Sequence, residues 1–228
     1  MKFGGKHFLV MLPLLIFDMK NNKLDELIVK GYEVDIEKAF RDGWEIFKAK
    51  PLFTIGYAAF ILLLQVTFAL YLTDFSFVFT IFLSGPLYAG FFLVANKISR
   101  GEEVLYPDFF GGFQYYMPVV SVWLIGQILA GFGILFLVLP GVYLMVSYMF
   151  AVLMTLFGGF DFWNALEYSR KVIHIRWWRF FYLMLLLLVL NIIGALFLIV
   201  GLMVTLPLTF YVIYCAFEDI TEDALMDD

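Results

Sequence analysis

Three amide side chains lie deep inside long apolar stretches of the sequence: Gln65, Gln127 and Asn191. Side-chain amides in membrane proteins commonly form hydrogen bonds between helices, each worth roughly 0.6–2 kcal/mol. We expect that structural role here. A second interpretation stays open, in which the three amides form one polar cluster on the axis of a helix bundle and contact a ligand or a lipid head group.

The same apolar stretches contain no Asp, Glu, His, Lys or Arg. Ion-coupled transporters and proton relays usually place such residues at membrane depth. Their absence argues against a proton-coupled transporter and against a channel with a charged filter. It leaves open a passive conduit for neutral or lipid-like molecules.

A cluster of basic and aromatic side chains occupies the region between residues 160 and 180. Its members are Arg170, Lys171, Arg176 and Arg179, together with Trp163, Trp177 and Trp178. In the simpler interpretation, the basic residues set the membrane topology and the tryptophans anchor the chain at the membrane interface. In the more specific interpretation, the cluster binds anionic lipid head groups. Nucleic acid is not an expected partner, because the cluster lies against the membrane and the chain has a net charge of -5.

Motifs of known enzymes are missing from the sequence. The two histidines, His7 and His174, are far apart, and no HExxH, GxSxG, Walker A or dinucleotide-binding pattern occurs. The loop carboxylates, such as Asp161, are better explained as helix caps or solvated charges. We therefore expect a protein that is not an enzyme and that binds no metal or cofactor.

The composition of the chain and the lengths of its apolar stretches predict the helices that position these residues. The chain is 63% hydrophobic and 15% charged, whereas a soluble domain carries about 25% charged residues. The apolar stretches are Leu52–Leu72, Phe75–Asn96, Met117–Gly159 and Phe180–Phe217. The last two are each about twice the roughly 20 residues that one span needs, so each must fold back on itself. The sequence predicts an all-α integral membrane protein with six transmembrane helices arranged as three hairpins. The expected turn points in the two long stretches are Gly131 and Gly133, then Gly194 and Gly201.

The distribution of Lys and Arg predicts the topology. All 15 of these residues lie in three segments, 2–50, 97–100 and 170–179. Six spans place these segments on one side of the membrane, and the positive-inside rule makes that side cytoplasmic. Both termini are then cytoplasmic.

The sequence also shows signs of an internal repeat. A shift of 126 residues aligns Ala39 with Ala165 and Gln65 with Asn191. The predicted units are 34–97, 106–159 and 160–217, arranged about a pseudo-threefold axis. Units one and three begin with an amphipathic helix, expected to lie in the cytoplasmic interface. The apolar stripes of these helices are Ile36, Phe40, Trp44 and Phe47, then Phe162, Leu166, Ser169, Ile173 and Trp177. The second span of each unit contains a proline that is expected to kink it: Pro86, Pro140 and Pro207.

The two ends of the chain lie outside the repeat. Residues 1–33 are predicted to form a cytoplasmic or interfacial extension, in which the apolar decamer Phe8–Phe17 is too short to span a bilayer. Residues 218–228 form an acidic cytoplasmic tail.

Several motifs between residues 34 and 217 resemble uncharacterised bacterial membrane-protein families. The motifs run over residues 84–90, 100–103, 108–113, 139–144, 162–171 and 201–207. The chain resembles the YciC-like family and is similar to the membrane domain attached to some glycerophosphodiester phosphodiesterases. The resemblance implies a protein of the bacterial cytoplasmic membrane. It implies no catalytic residues, because the phosphodiesterase domain is missing from this chain.

The function that these observations favour is non-enzymatic. We expect a structural, assembly or lipid-organising protein of the cytoplasmic membrane. Its expected partners are membrane lipids, with anionic lipids as candidates, and a second membrane protein or another copy of the chain. The alternative is a small transporter or permeation protein for a neutral or amphipathic substrate, lined by the three amides.

Overall fold

The computed structural model of the chain describes residues 19–226, and this part of the chain consists of helices and turns without a strand. The predicted interfacial segment Phe8–Phe17 lies outside the described residues. In chain order the helices are α1 (residues 19–30), α2 (Ile36–Ala49), α3 (Pro51–Leu70), α4 (Ser84–Ser99), α5 (Tyr116–Phe136), α6 (Val138–Ser147), α7 (Ala151–Gly158), α8 (Phe162–Ile175), α9 (Trp177–Leu196) and α10 (Leu198–Thr221). Shorter helical segments precede α4 (Thr73–Phe75, Ser76–Val78 and Phe79–Leu83) and α5 (Tyr106–Tyr115), and another (Glu222–Met226) follows α10.

Six helical stretches in the described part of the chain are long and apolar enough to cross a membrane. They contain between 20 and 31 residues, which is about 30 Å or more at 1.5 Å per residue, the thickness of a bilayer core. The prediction of an all-α protein with six candidate membrane spans is confirmed.

Helix α10 is the centre of the bundle, because it packs against α2, α3, α4 and α9. The ring of Phe210 stacks on Tyr88 and Phe91, with centroids 4.9 and 5.5 Å apart. Tyr211, fully buried, shares a hydrogen bond of 3.0 Å with the hydroxyl of Thr54 on α3. Aromatic stacking and a satisfied buried polar pair therefore join the last helix to the earlier ones.

Polar contacts collect at one end of the bundle, which we call the charged end. There the Lys23 ammonium donates to the Asp223 carbonyl over 3.0 Å, and Lys97 pairs with Asp108 over 2.9 Å. Lys38 pairs with Asp219 in the same region. The opposite ends of the spans turn near Leu137 and other exposed apolar side chains: Leu70, Tyr71, Leu72, Leu139, Leu196 and Phe197.

Helices α2 and α8 begin with the side-chain caps that their sequences suggest. Asp35 accepts a hydrogen bond from the Lys38 amide over 2.9 Å, and Asp161 accepts one from the Trp163 amide over 3.2 Å. Such caps satisfy amides that have no partner within the helix. The predicted cap at Asp161 is confirmed.

Helix α8 is packed into the bundle by a hydrogen-bond bridge. The segment after α6 leaves helical geometry at residues 148–150 before α7 begins. Ser169, fully buried on α8, donates to the Ser147 carbonyl over 2.7 Å and accepts from the Phe150 amide over 3.2 Å. One hydroxyl therefore satisfies two backbone groups at an interruption in a candidate membrane span.

The three predicted kink prolines occupy different settings. Pro207 lies inside α10, the position in which proline bends a helix. Pro86 follows the π-helical segment Phe79–Leu83, whose wider turn accommodates the proline ring. Pro140 lies in the first turn of α6, where its missing N–H has no helical acceptor to lose. Pro140 therefore removes no helical hydrogen bond, and the interruption in this candidate span falls at residues 148–150.

Three of the four predicted turn glycines, Gly133, Gly194 and Gly201, mark close approaches rather than turns. The chain reverses at Leu137 and Phe197. Across the first reversal, a Cβ placed on Gly133 would lie 2.8 Å from the Cα of Gly141, so the two glycines let α5 and α6 come together. Gly131 has open space around it.

A tighter approach joins α4 to the segment Tyr106–Tyr115. A Cβ on Gly112 would overlap the Pro86 carbonyl oxygen and lie 3.0 Å from the Ala89 side chain. A Cβ on Gly90 would overlap the Phe109 carbonyl oxygen. Only glycine permits both contacts, because the obstacles are backbone atoms that cannot rotate away.

We predict that Gly112→Ala lowers the free energy of unfolding in detergent by about 1–3 kcal/mol, the usual cost of overpacking. The control is Gly131→Ala, which adds the same methyl group to a helical glycine with open surroundings. This control should leave the unfolding midpoint unchanged or raise it slightly. Equal midpoints for the two variants would contradict the proposed close packing.

Replacement of Ser169 by alanine should leave the Ser147 carbonyl and the Phe150 amide without their partner. We expect a loss of about 1–3 kcal/mol in the free energy of unfolding and faster amide exchange at residues 147–151. The control is Thr67→Ala, which removes an exposed hydroxyl that bonds only within its own helix. Unchanged exchange at Phe150 in Ser169→Ala would show that the bridge contributes little.

Candidate functional site

The junction between α8 and α9 is held against the segment that precedes α2. Arg176 lies at this junction, and its guanidinium donates to the Tyr32 carbonyl over 3.0 Å and to the Glu33 carboxylate over 2.9 Å. The Tyr32 hydroxyl donates to the Val172 carbonyl over 2.6 Å. Burial raises the pKa of Tyr32 far above its ordinary value, so the hydroxyl stays a donor at physiological pH.

Aromatic rings form one wall beside this junction. Trp177 stacks on Tyr143 and on Phe181, with centroids 6.0 and 5.1 Å apart. Tyr143 also shares a hydrogen bond of 3.0 Å with Nδ1 of His174. Trp178 packs edge-on against Trp177 and remains 75% exposed, so its ring is available to the surrounding lipid.

Two hollows meet at Arg179. The first, which we call the aromatic hollow, has a volume of about 450 Å³ and is lined by Tyr143, His174, Arg176, Trp177 and Trp178 together with Glu33 and Arg179. The second has a volume of about 630 Å³ and contains three carboxylates, those of Glu33, Asp35 and Glu37. Within residues 19–226 the Arg179 side chain has no ion-pair or hydrogen-bond partner.

The other predicted basic residues are engaged with carboxylates. Arg170 binds Glu167 through two hydrogen bonds of 2.7 and 3.0 Å. Lys171 lies 3.9 Å from the same carboxylate and 5.1 Å from the centre of the Tyr168 ring. The hydrogen bond from Arg170 lowers the pKa of Glu167, so this carboxylate stays charged as the pH falls through its ordinary range. The predicted four-residue cation cluster is therefore divided, and Arg179 alone is without a partner in the described structure.

The three predicted amides do not form one cluster. Asn191 donates to the Leu187 carbonyl over 2.8 Å and to the Thr209 hydroxyl over 2.6 Å, which joins α9 to α10. Gln65 and Gln127 are exposed on α3 and α5. No hydrogen bond in the described part of the chain links any two of them. The interhelical role is found for Asn191, and the axial cluster is not found.

Sequence reasoning missed the residues that complete the aromatic hollow. Glu33 belongs to the predicted extension, and Tyr143 is one aromatic among many in an apolar stretch. Arg176 and Glu33 are 143 positions apart, and no local pattern relates them. The sequence signal that pointed to this site was the surplus of cations over carboxylates between residues 160 and 180.

The described residues contain no group of three or more His, Cys, Asp or Glu side chains that could hold a metal ion. Comparisons of the chain with protein-family models, with curated proteins and with solved structures find no match.

We predict that Arg176→Gln releases the segment that precedes α2. The variant loses the Glu33 ion pair and one bond to the Tyr32 carbonyl, so amide exchange over residues 31–36 should rise several-fold. The control, Arg41→Gln, removes an exposed charge that pairs only with its neighbour Asp42 over 3.5 Å. Unchanged exchange in Arg176→Gln would mean that the Tyr32 hydroxyl alone holds the segment.

Proposed function

We propose that this chain is a non-enzymatic integral protein of the cytoplasmic membrane that binds and organises anionic lipids at its charged end. The observation that carries the proposal is Arg179, a cation without a protein partner in the described structure, at the edge of a hollow lined by Trp177 and Trp178. Tryptophan prefers the head-group region of a bilayer, and a basic side chain near an anionic surface contributes about 1 kcal/mol.

The distribution of carboxylates favours the aromatic hollow over its neighbour. Glu33, Asp35 and Glu37 line the second hollow and would repel a phosphate there. In the aromatic hollow the one carboxylate, Glu33, is already paired with Arg176. A phosphate in the aromatic hollow would therefore meet an unpaired guanidinium, beside tryptophan rings that suit the adjoining acyl chains.

The proposal includes an orientation. The positive-inside rule places the charged end in the cytoplasm, with both termini on that side. Helices α2 and α8 would then lie near the cytoplasmic interface, and the six spans would form three hairpins with pseudo-threefold symmetry. The resemblance to YciC-like proteins favours a bacterial membrane.

Lipid binding is compatible with a role in assembly, in which the chain associates with another membrane protein or with a second copy of itself.

Permeation by a neutral or amphipathic substrate has less support. That alternative required the three amides to line one path, whereas Gln65 and Gln127 are exposed on separate helices and Asn191 is engaged with Thr209.

The test compares Arg179→Gln with Arg41→Gln, which removes the same charge from a neighbour-paired site at the charged end. The proteins are reconstituted in nanodiscs of phosphatidylcholine with 20% phosphatidylglycerol, and the retained lipids are counted by native mass spectrometry. We expect Arg179→Gln to lower the enrichment of phosphatidylglycerol about five-fold, which corresponds to roughly 1 kcal/mol. Arg41→Gln should retain the wild-type enrichment.

Equal enrichment in all three proteins would refute the proposed site. An equal decrease in both variants would show a general response to net charge and would also count against a specific site at Arg179.

A further inference from the structure

His174 lines the aromatic hollow, and one of its ring nitrogens has no partner in the described part of the chain. The ring is exposed and lies in the same wall as Arg176, Trp177 and Arg179. Its Nδ1 shares the hydrogen bond of 3.0 Å with the Tyr143 hydroxyl. Nε2, at the outer edge of the ring, is therefore the nitrogen that can contact a bound molecule.

The role of Nε2 depends on which ring nitrogen carries the proton. In a neutral imidazole one nitrogen donates and the other accepts, and the hydrogen bond at one nitrogen fixes the role of the other. If Tyr143 donates to Nδ1, the proton is on Nε2, which is then a donor. If Nδ1 donates to Tyr143, Nε2 has no proton and would face a phosphate with its lone pair. The neighbours of the Tyr143 hydroxyl decide between these two cases.

Arg170 occupies the acceptor side of the Tyr143 hydroxyl. Its guanidinium binds Glu167 with bonds of 2.7 and 3.0 Å and also donates to the Tyr143 oxygen. A guanidinium has donors and no acceptor, so it engages a lone pair of that oxygen and leaves the O–H for His174 Nδ1. Arg170 and His174 are one turn apart on α8, which places both side chains beside the same residue of α6.

Tyr143 is also held in place from other sides. Its ring stacks on Trp177, with centroids 6.0 Å apart, and meets the His174 ring edge-on at the same distance. The Trp177 indole N–H donates to the Tyr143 carbonyl over 3.4 Å. The hydroxyl therefore has a fixed position between Arg170 and His174. The chain of contacts that begins at Glu167 orients this imidazole in the way that outer partners orient the histidines of metal sites.

The charges around the hollow match those of a phosphodiester. Arg176 and Glu33 form an ion pair of 2.9 Å, so the single charge of Arg179 is left for a ligand. A phosphodiester carries one negative charge, and its oxygen atoms accept from both a guanidinium and an imidazole N–H. A phosphomonoester, which carries close to two negative charges at neutral pH, would lack a second counter-charge there.

We propose that His174 is a second phosphate ligand of the aromatic hollow, in which Nε2–H donates to the phosphodiester of an anionic glycerolipid while Arg179 neutralises its charge. Tyr143 and Arg170 are positioning residues that keep the proton on Nε2. The inference rests on the proposed lipid binding at Arg179 and adds to it a neutral donor and a class of head group.

The first test measures the tautomer without any anionic lipid. The protein, with ring-¹⁵N histidine, is placed in phosphatidylcholine nanodiscs at mildly alkaline pH, and a His7→Gln background leaves His174 as the one labelled residue. We expect ¹⁵N chemical shifts that report a proton on Nε2. Tyr143→Phe keeps the ring but removes the hydroxyl, and should raise the fraction with a proton on Nδ1 several-fold. The control, Tyr182→Phe, removes a hydroxyl from the neighbouring hollow and should leave the tautomer unchanged. A proton on Nδ1 in the parent protein would overturn the proposal.

The second test measures the enrichment of phosphatidylglycerol by native mass spectrometry. His174→Gln places an amide N–H near the position of Nε2, whereas the shorter side chain in His174→Asn reaches only the position of Nδ1. We expect His174→Asn to lower the enrichment about three- to five-fold, the size of one neutral hydrogen bond, and His174→Gln to retain most of it. Equal decreases in the two variants would contradict a donor at Nε2. Thermal unfolding identifies a loss of fold, and the tautomer measurement decides the matter if either variant fails to fold.

The outcomes separate this inference from the proposed function. A decrease in Arg179→Gln with unchanged enrichment in His174→Asn would overturn the role of His174 alone, whereas unchanged enrichment in both variants would refute the lipid site itself. Soluble glycerophosphoglycerol, added to phosphatidylcholine nanodiscs, separates a free phosphodiester from a lipid. We expect the Nε2 resonance to move with phosphatidylglycerol in the disc and to stay in place with the soluble compound. An equal movement with both would overturn a lipid as the ligand.

Discussion

The requirement that every backbone polar group in the bilayer has a partner within the protein governs this structure. Regular helices satisfy it automatically, so the informative places are those where a helix is interrupted. At residues 148–150 a single hydroxyl, that of Ser169, supplies both a donor and an acceptor to the interrupted backbone. Helix α8 must therefore pack closely enough to bring Ser169 to that point, which joins an amphipathic helix firmly to the membrane domain. Before Pro86 the chain meets the same requirement in another way, by widening to a π-helical turn.

Close packing and polar satisfaction support each other where α3, α4 and the segment Tyr106–Tyr115 meet. Gly90 and Gly112 bring α4 and the segment Tyr106–Tyr115 into backbone contact, while Tyr57 donates to the Leu87 carbonyl over 2.9 Å and packs its ring against Phe91 and Phe109. Without the hydrophobic effect between helices in lipid, van der Waals contact and hydrogen bonds are the main sources of association. Small residues are therefore as important to this fold as the large aromatic ones.

The features that depend on local pattern could be predicted from the sequence. The six candidate spans follow from the lengths of the apolar stretches, and the Asp161 cap follows from its place before an amphipathic helix. Features that depend on how one helix is rotated against another could not be predicted. Trp44 belongs to the predicted apolar stripe of α2, yet it is 42% exposed, whereas Gly43 is buried against Val212. The predicted cluster of Gln65, Gln127 and Asn191 is not found for the same reason. The depth of a residue along its helix does not determine the direction in which its side chain points.

Charge pairing explains why the basic cluster proved narrower than the sequence suggested. A count of cations between residues 160 and 180 treats Arg170 and Arg179 alike, but Glu167 lies one turn from Arg170 and engages it within the same helix. Arg176 is engaged by Glu33, which belongs to a distant part of the chain. What distinguishes Arg179 is the lack of a protein partner within the described residues, because a guanidinium already paired must lose that pair before it can bind a phosphate. The side chain with bonding capacity left over, rather than the largest group of similar residues, therefore indicates where a ligand would gain most.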